Sequence, residues 1–271
     1  MFMAFNSTLV TLIPKKYDAR YLKYYRPIAC CTMVYKVYSK VLTTRLAKVI
    51  GIIVNHNQAA FIPGQQLHNH ILLAYELIKG YSRKNGTPRC LMQLDVQKAY
   101  DMLNWKALET ILLEVGIPEK FVKWIMNGVT TVSYRYNING ENSRLMKSRR
   151  RIRQGDPISP FLFVIVMEYM SRLLYKMQRS PTFNHYSKCE KMELTHLTFI
   201  DDILLFCRGD KGYVELVNHT MQQFSNSTGL VVNPSKCNVY LRAVDEVEKH
   251  HILKMTRYNE GNSLSSILES L

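Results

Sequence analysis

Two aspartates stand side by side in Phe199-Ile200-Asp201-Asp202, between the short apolar runs Leu194 to Phe199 and Ile203 to Phe206. Earlier in the chain Asp95 ends another apolar run, Cys90-Leu91-Met92-Gln93-Leu94. Apolar flanks around a two-residue break read as a β-hairpin with the carboxylates at its tip. Bringing like charges together makes each harder to ionise. An adjacent carboxylate pair, joined by a third carboxylate from a neighbouring strand, therefore suits a site that binds cations. Phosphoryl transfer uses such a site with two magnesium ions ~3.5–4 Å apart, one activating the attacking hydroxyl and the other stabilising the leaving oxygen. Magnesium keeps few protein carboxylates and leaves its other positions to water and substrate phosphates. The alternative reading is a tolerated Asp-Asp turn and an ordinary strand end at Asp95.

Periodicity supplies the elements that would position these side chains. Residues 33 to 50 place Val34, Val37, Val41, Leu42, Leu46 and Val49 at helical spacing, with Lys36, Lys40, Arg45 and Lys48 between them. That pattern predicts an amphipathic helix, apolar side inward, with basic flanks. A second helix is predicted over Leu67 to Tyr81, a buried strand over Leu91 to Val96, and a helix capped by Asn104 and running through Val115. Pro118 starts another, carrying Phe121, Trp124 and Ile125 inward. Val132 to Asn137 alternates up to Asn139-Gly140, a strong hairpin signal, with a return strand at Arg144 to Ser148. Ser159-Pro160 opens a long apolar helix to about Met177. The strands around Asp201 follow, then a helix from about Val214 to Phe224 closed by Gly229. This order predicts an α+β fold with helices packed on one face of a mostly antiparallel sheet.

Lys and Arg number 36 against 21 Asp and Glu, a formal net charge of +15, which favours a polyanionic partner through long-range attraction and counterion release. A hydrophobic content of 47% over 271 residues supports a sizeable core and excludes a disordered or fibrous chain. No run approaches the ~18 apolar residues of a membrane span. Met1 to Val10 lacks the pattern of a secretory signal. A soluble, intracellular protein with no membrane partner is expected. The six cysteines show no paired metal spacing and read as reduced, mostly buried thiols.

Four segments then stand in a telling order: Leu94-Asp95-Val96-Gln97-Lys98-Ala99-Tyr100-Asp101, Arg153-Gln154-Gly155-Asp156-Pro157-Ile158-Ser159-Pro160, Phe199-Ile200-Asp201-Asp202 and Gly229-Leu230-Val231-Val232-Asn233-Pro234-Ser235-Lys236. They resemble the catalytic motifs of the reverse transcriptases of non-LTR (LINE-type) retrotransposons, particularly those of plants. Leu12-Ile13-Pro14-Lys15, Tyr25-Arg26-Pro27-Ile28, Tyr35-Lys36 and Asn57-Gln58-Ala59-Ala60-Phe61-Ile62-Pro63-Gly64 resemble that family's finger segments. The resemblance spans about residues 8 to 264.

The resemblance implies a right-hand polymerase. Fingers are expected at about 8–88 plus the hairpin near 130–150, and the palm at about 89–129 and 151–241. Residues 242–271 would form a truncated end, with the thumb missing. The implied activity is RNA-directed DNA polymerisation, in which a primer 3′-hydroxyl attacks the α-phosphate of a deoxynucleoside triphosphate (dNTP). Implied partners are an RNA template and a DNA primer, and implied cofactors are two Mg2+ ions, with Mn2+ as a substitute. A nuclear location follows from the same resemblance; no protein partner does.

Carried over residue by residue, the resemblance makes Asp95, Asp201 and Asp202 catalytic metal ligands and Lys236 the proton donor to pyrophosphate. Tyr100 would lie under the incoming sugar and exclude a 2′-hydroxyl; the alternative is plain core. Gln154 and Gly155 would let the template base and nucleotide approach the backbone, while Lys15 and Arg26 would reach the triphosphate or template. Lys36 and the cluster Lys147, Arg149, Arg150, Arg151 and Arg153 would contact nucleic-acid phosphates, the alternative for the cluster being a solvated hairpin arm. The chain departs from the family pattern at Ile200, Gln65, Asn69-His70 and Arg151, where the family has alanine, arginine, Asp-Asn and glycine. The resemblance stops after Leu264, ahead of the primer-gripping hairpin and thumb, and no endonuclease precedes it, so a truncated copy is expected. Two other readings stay open: a catalytically inactive nucleic-acid-binding remnant, and a group II intron maturase-like protein.

Overall fold

The computed structural model describes residues 5–81, 86–97, 99–138, 140–148, 150–180, 183, 185–261, 264 and 267; Lys98, Asn139 and Arg149 lie outside the described residues. In chain order the strands are β1 (Ser7–Pro14), β2 (Tyr25–Cys31), β3 (Arg89–Gln97), β4 (Ser133–Ile138), β5 (Glu141–Asn142), β6 (Met146–Lys147), β7 (His196–Phe199), β8 (Asp202–Arg208), β9 (Val231–Val232), β10 (Asn238–Arg242) and β11 (Asn259–Glu260). The helices are α1 (Met33–Leu46), α2 (Ile50–Ile53), α3 (Leu67–Ile78), α4 (Ala99–Met102), α5 (Trp105–Glu114), α6 (Glu119–Thr130), α7 (Ser159–Gln178), α8 (Lys211–Thr228) and α9 (Glu246–Thr256). The chain divides into two compact units, one of residues 1–50 with 98–165 and one of residues 51–97 with 166–271. Residues 51–88 thus fall in the unit that holds Asp95, and residues 98–129 in the unit that holds the N-terminal strands.

In the first unit β1 pairs antiparallel with β2 and parallel with β4, and β4 pairs antiparallel with β5 and β6. The hairpin return is shorter than its alternation predicts, because only Glu141–Asn142 and Met146–Lys147 pair. Asn104 caps α5 as expected, its Oδ1 accepting the Lys106 N–H at 2.9 Å. On α6, Ile125 is buried while Trp124 remains 36% exposed, so the tryptophan is not part of the inward face.

Helix α1 forms where predicted but presents a different face inward. Tyr35, Ser39, Leu42, Thr43 and Leu46 are buried, whereas Val34, Val37 and Val41 are 55%, 60% and 48% exposed. The cause lies in the Asp156 carboxylate, which is only 4% exposed. It accepts hydrogen bonds from Tyr35 Oη at 2.7 Å and from Ser39 Oγ. A buried charge left unbonded costs more than leaving valines in water. The helix is accordingly turned hydroxyl side in.

In the second unit the sheet runs β11-β10-β3-β8-β7, with β9 also pairing β3. Every pairing is antiparallel except β10 with β11. Leu91, Leu204, Phe206 and Tyr240 of this sheet form a core with Ala74, Leu77 and Ile78 of α3. Helix α7, which begins in the first unit and passes into the second after Ile165, is apolar around its whole circumference from Leu162 to Met167, and all six residues are at most 1% exposed. A helix hydrophobic on every side belongs to a core rather than a surface. The fold is therefore a mixture of helices and sheets. Among the described residues no helix is long and apolar enough to cross a membrane. All six cysteines are free, and Cys30 alone among them is exposed.

Candidate active site

Strand β3 carries Asp95 to the sheet edge because its interior is apolar up to that point: Cys90, Leu91, Met92 and Leu94 are buried. In the antiparallel register Asp95 stands directly opposite Asp202, the first residue of β8. Opposed residues of an antiparallel pair share a face, with Cβ atoms roughly 4.5–5.5 Å apart. Phe199 of β7 pairs with Asp202 as well, which leaves Ile200 and Asp201 as a two-residue turn. The Val96 N–H donates to the Asp201 carbonyl at 3.3 Å and ties the turn to β3.

Lys236 comes to the same edge from a short turn, Pro234–Lys236, that follows β9. Pairing of Val232 with Val96 and a bond from Asn233 N–H to the Asp95 carbonyl at 2.9 Å fix that turn. Lys236 Nζ then donates to Asp95 Oδ2 at 2.9 Å. The Lys236 pKa is raised, first by this hydrogen bond and further by the three aspartates. Asp201 is raised by burial and by the charge of Asp95, with Lys236 opposing. Asp202 is pushed up to about 6, by burial first and then by Asp201 and Asp95.

The donor chemistry fits a hard divalent cation: oxygen ligands, mutual repulsion, and an ammonium group already drawn onto Asp95. The carboxylates are not gathered around one point as they stand. Among the described residues no three His, Cys, Asp or Glu side chains converge closely enough to hold a metal ion. A groove of about 610 Å3 opens beside the turn, walled by Ala59 to Pro63 on one side and Phe199 to Asp202 on the other.

Gln58 is a positioning residue that the residue types alone did not reveal. It is 2% exposed, and its Oε1 accepts the N–H of Ile200 at 3.4 Å and of Ala60 at 3.2 Å. Bonds between Thr198 and Asn57 and between Ala59 and Thr198 hold the same loop along β7. The available signals were an amide side chain directly ahead of the apolar stretch Ala59-Ala60-Phe61-Ile62 and its place in the Asn57 to Gly64 segment of the family resemblance.

Ile200 occupies φ +63°, the left-handed region. Two-residue hairpins with a positive φ at the first central position favour glycine there. A β-branched residue pays roughly 1–2 kcal/mol for that conformation. Ile200→Gly is therefore expected to stabilise the protein by about 1 kcal/mol, read as a higher urea midpoint at unchanged slope. An unchanged or lowered midpoint would mean that isoleucine packing outweighs the strain.

The remaining expected site residues lie in the first unit. Tyr100 stacks on Phe163 with ring centroids 5.4 Å apart, and its carbonyl accepts Ile152 N–H at 2.8 Å. The Gln154 carbonyl accepts Ala29 N–H at 3.0 Å. Gly155 has φ +99°, and a Cβ there would meet the Ala29 carbonyl oxygen at 3.4 Å, so the position needs glycine. Lys15 and Arg26 are exposed at the end of the β1–β2 pair where the chain turns from one strand to the other, and Lys36, Lys147 and Arg150 are exposed too. Arg149 lies outside the described residues.

Arg153 does not fit the expected role at nucleic-acid phosphates. It is 4% exposed. Its guanidinium lies 3.8 Å over the Tyr35 ring, donates to Asn6 Oδ1 and to the Gly128 carbonyl at 3.3 Å, and stands 3.9 Å from Asp156 Oδ2. The charge is consumed inside the unit. Arg151 is half-buried, also tied down, and has φ +90°, which explains why glycine suits the position. Its side chain offsets that strain by standing 3.5 Å from Asp101 Oδ1 and 5.2 Å over the Tyr134 ring.

Comparison with known proteins agrees with these motifs. The family described as reverse transcriptase (RNA-dependent DNA polymerase) matches residues 13–258. The retrovirus-related Pol polyprotein of the type-2 retrotransposable element R2DM of Drosophila melanogaster is 28% identical over 225 residues, covering 83% of this chain and 20% of that protein. A 149 kDa protein of transposon TX1 from Xenopus laevis is 23% identical over 240 residues, covering 89% of this chain and 18% of its own length. The chain thus spans about a fifth of the length of these relatives. Among solved structures, apo telomerase of Candida tropicalis, truncated from its C-terminal domain, superimposes with a TM-score of 0.63 at 14% identity, covering 91% of this chain and 52% of that one. That likeness is one of fold. With a family match that takes in nearly every motif described, this chain belongs to the reverse transcriptase (RNA-dependent DNA polymerase) family.

Proposed function

We propose that the chain is the RNA-directed DNA polymerase domain of a plant-type non-LTR (LINE-type) retrotransposon, acting in the nucleus on an RNA template, a DNA primer and dNTPs. The observation that carries the reading is the in-register pair Asp95 and Asp202 with Asp201 in the adjoining turn. A match at 37% identity over 68 residues to a mitochondrial protein of Arabidopsis thaliana supports the plant assignment. The polymerase reading divides the chain into fingers and palm.

Asp95, Asp201 and Asp202 would hold two Mg2+ ions, which supply activation of the primer hydroxyl and stabilisation of the leaving oxygen. The carboxylates fix the position of the attacking group on a rigid sheet edge, which lowers the barrier through alignment and preorganised charge. Lys236, protonated and oriented by Asp95, holds a proton for the departing pyrophosphate. Tyr100, Gln154, Gly155, Arg26 and Lys15 serve the nucleotide, and the exposed Lys36, Lys147 and Arg150 serve the nucleic-acid backbone.

Primer extension tests the proposal. The chain, given a DNA primer on an RNA template with dNTPs and Mg2+, is expected to incorporate nucleotides, and EDTA is expected to stop it. No incorporation above an Asp201→Asn control overturns polymerase activity for this chain. Salt-dependent binding of the RNA–DNA duplex without incorporation would identify a nucleic-acid-binding remnant instead.

A further inference from the structure

Beside Asp95 the edge of β3 that faces away from β8 has no strand against it. Strand β10 pairs with β3 as far as Gln93, opposite Asn238, and β9 takes over only at Val96. Antiparallel pairing sends the N–H and C=O of one residue to the same edge. The Asp95 carbonyl accepts from Asn233, so the Asp95 N–H faces the same gap. A backbone N–H withdrawn from water needs an acceptor. Here the acceptor is a side chain: the Asp95 N–H donates to Cys237 Sγ at 3.4 Å. Asp95 and Asp202 are therefore a pair without bonds between their main chains, the kind whose Cα atoms approach to roughly 4.5 Å.

We propose that Cys237 is a positioning residue for the polymerase centre and that Asn259 holds it in place; the inference rests on the polymerase reading. Cys237 is 0% exposed, and its N–H donates to the Pro234 carbonyl at 3.3 Å. Its carbonyl accepts from the Asn259 N–H at 2.9 Å and from Asn259 Nδ2 at 3.2 Å. The same Nδ2 donates to the Ser235 carbonyl at 3.0 Å, so one asparagine braces the turn from behind. Lys236 and Cys237 thus grip Asp95 at two points, the ammonium on Oδ2 and the thiol on the N–H. The first contact aims the carboxylate and the second sets where its backbone stands relative to Asp202. Sulfur is a weak acceptor, so the bond adds little to stability. Its weight falls on alignment, where a displacement of about 1 Å can cost 10²-fold in rate. Cys90 and Cys207, equally buried, face each other at the far end of the same two strands and serve as the internal comparison.

Two measurements test the proposal. Amide hydrogen exchange followed by NMR in EDTA reads the thiol contact without any turnover. In Cys237→Ala the Asp95 amide is expected to exchange about tenfold faster relative to the Leu94 amide, which faces β8 instead. Cys207→Ala, which removes an equally buried thiol from the same sheet, is expected to leave that ratio unchanged. Asn259→Ala is expected to reproduce the Cys237→Ala effect in weaker form, and a wild-type ratio there would overturn the part given to Asn259. In primer extension, Cys237→Ala is expected to lower kcat about tenfold or more and to raise the Mg2+ concentration for half-maximal rate, with KM for dNTP within about twofold of wild type. Cys237→Ser, which restores an acceptor, is expected to recover part of the lost kcat. An Asp95 amide as protected in Cys237→Ala as in wild type, or an equal loss of kcat in Cys207→Ala, would overturn the proposal. Absence of incorporation by wild-type protein would instead overturn the polymerase reading and the catalytic consequence with it, while the exchange ratio would still decide whether Cys237 sets the Asp95 backbone.

Discussion

Replacing Asp202 with asparagine is expected to abolish primer extension and, in the same protein, to raise the stability of the metal-free fold. The activity loss follows from removing a preorganised charge at the reacting centre, worth about 10²–10³-fold or more. The stability gain follows from linkage. The carboxyl of Asp202 titrates at about 6 in the fold against an ordinary value of 3.8, because burial and the charges of Asp201 and Asp95 disfavour ionisation. A group whose folded pKa is raised stabilises the fold fully below its unfolded pKa, and that contribution is lost as pH rises through the folded value. Stability should therefore climb as pH falls from about 7 towards 4. Two pKa units correspond to about 3 kcal/mol at most, and solvent screening at this partly open edge reduces that to about 1–2 kcal/mol. Urea denaturation in EDTA at pH 7 and pH 5 reads both effects. Wild-type protein should gain on acidification, Asp202→Asn should begin higher at pH 7, and its pH response should be smaller. A variant less stable than wild type at pH 7 would show that this carboxylate is not in conflict with its neighbours.

Arg153→Ala is expected to cost the first unit about 3–5 kcal/mol, the usual penalty for leaving a buried charge without its partner. Asp156 would keep its hydrogen bonds from Tyr35 and Ser39 but lose the nearby guanidinium. Tyr35 would lose the cation stacked at 3.8 Å on its ring, and Asn6 and Gly128 would lose a donor. Because the same pair dictates which face of α1 is buried, the damage should spread to that helix. Lys147→Ala and Arg150→Ala, both at exposed positions, should stay within about 0.5 kcal/mol of wild type. Chemical denaturation monitored at the tyrosines separates the cases. Undiminished stability with weaker RNA binding for Arg153→Ala would return this guanidinium to the surface role that its sequence neighbours suggest.

The contrast between these two sites explains what could be read in the chain. Asp95 and Asp202 were legible because each adjoins an apolar run, and the antiparallel register of β3 with β8 sets them opposite one another. Asn104, Pro118 and Gly229 announce helix boundaries through local backbone chemistry, and the helices obey them. The orientation of α1 was not legible. Its valines recur at a helical period as regular as that of its buried residues, and the deciding partner, Asp156, is 121 residues away from Tyr35. Arg153 was misread for a related reason: it adjoins a run of basic residues, and only the packing around Asn6 and Tyr35 distinguishes it. Arg151 and Ile200 mark positions where a local rule is broken: both have positive φ angles, which accounts for glycine at the first, while at the second the departure from alanine adds a β-branched side chain to a conformation that any Cβ strains. Gln58 was hidden because its hydrogen bond to Ile200 spans 142 residues.

The parallel pairing of β1 with β4, Ser7 against Ser133, has a further consequence for the newborn chain. Neither unit is made of consecutive sequence: the first needs residues 98–165 to complete residues 1–50, and the second needs residues 166–271 to complete residues 51–97. On the ribosome, β3 emerges well before β8 and β10, the strands that cover its two edges. At roughly 5–20 residues per second, the run from Cys90 to Val96 waits several seconds with both hydrogen-bonding edges open. Until β8 and β10 emerge, the strand that carries Asp95 is an unpaired apolar segment, the kind of exposed surface that chaperones cover.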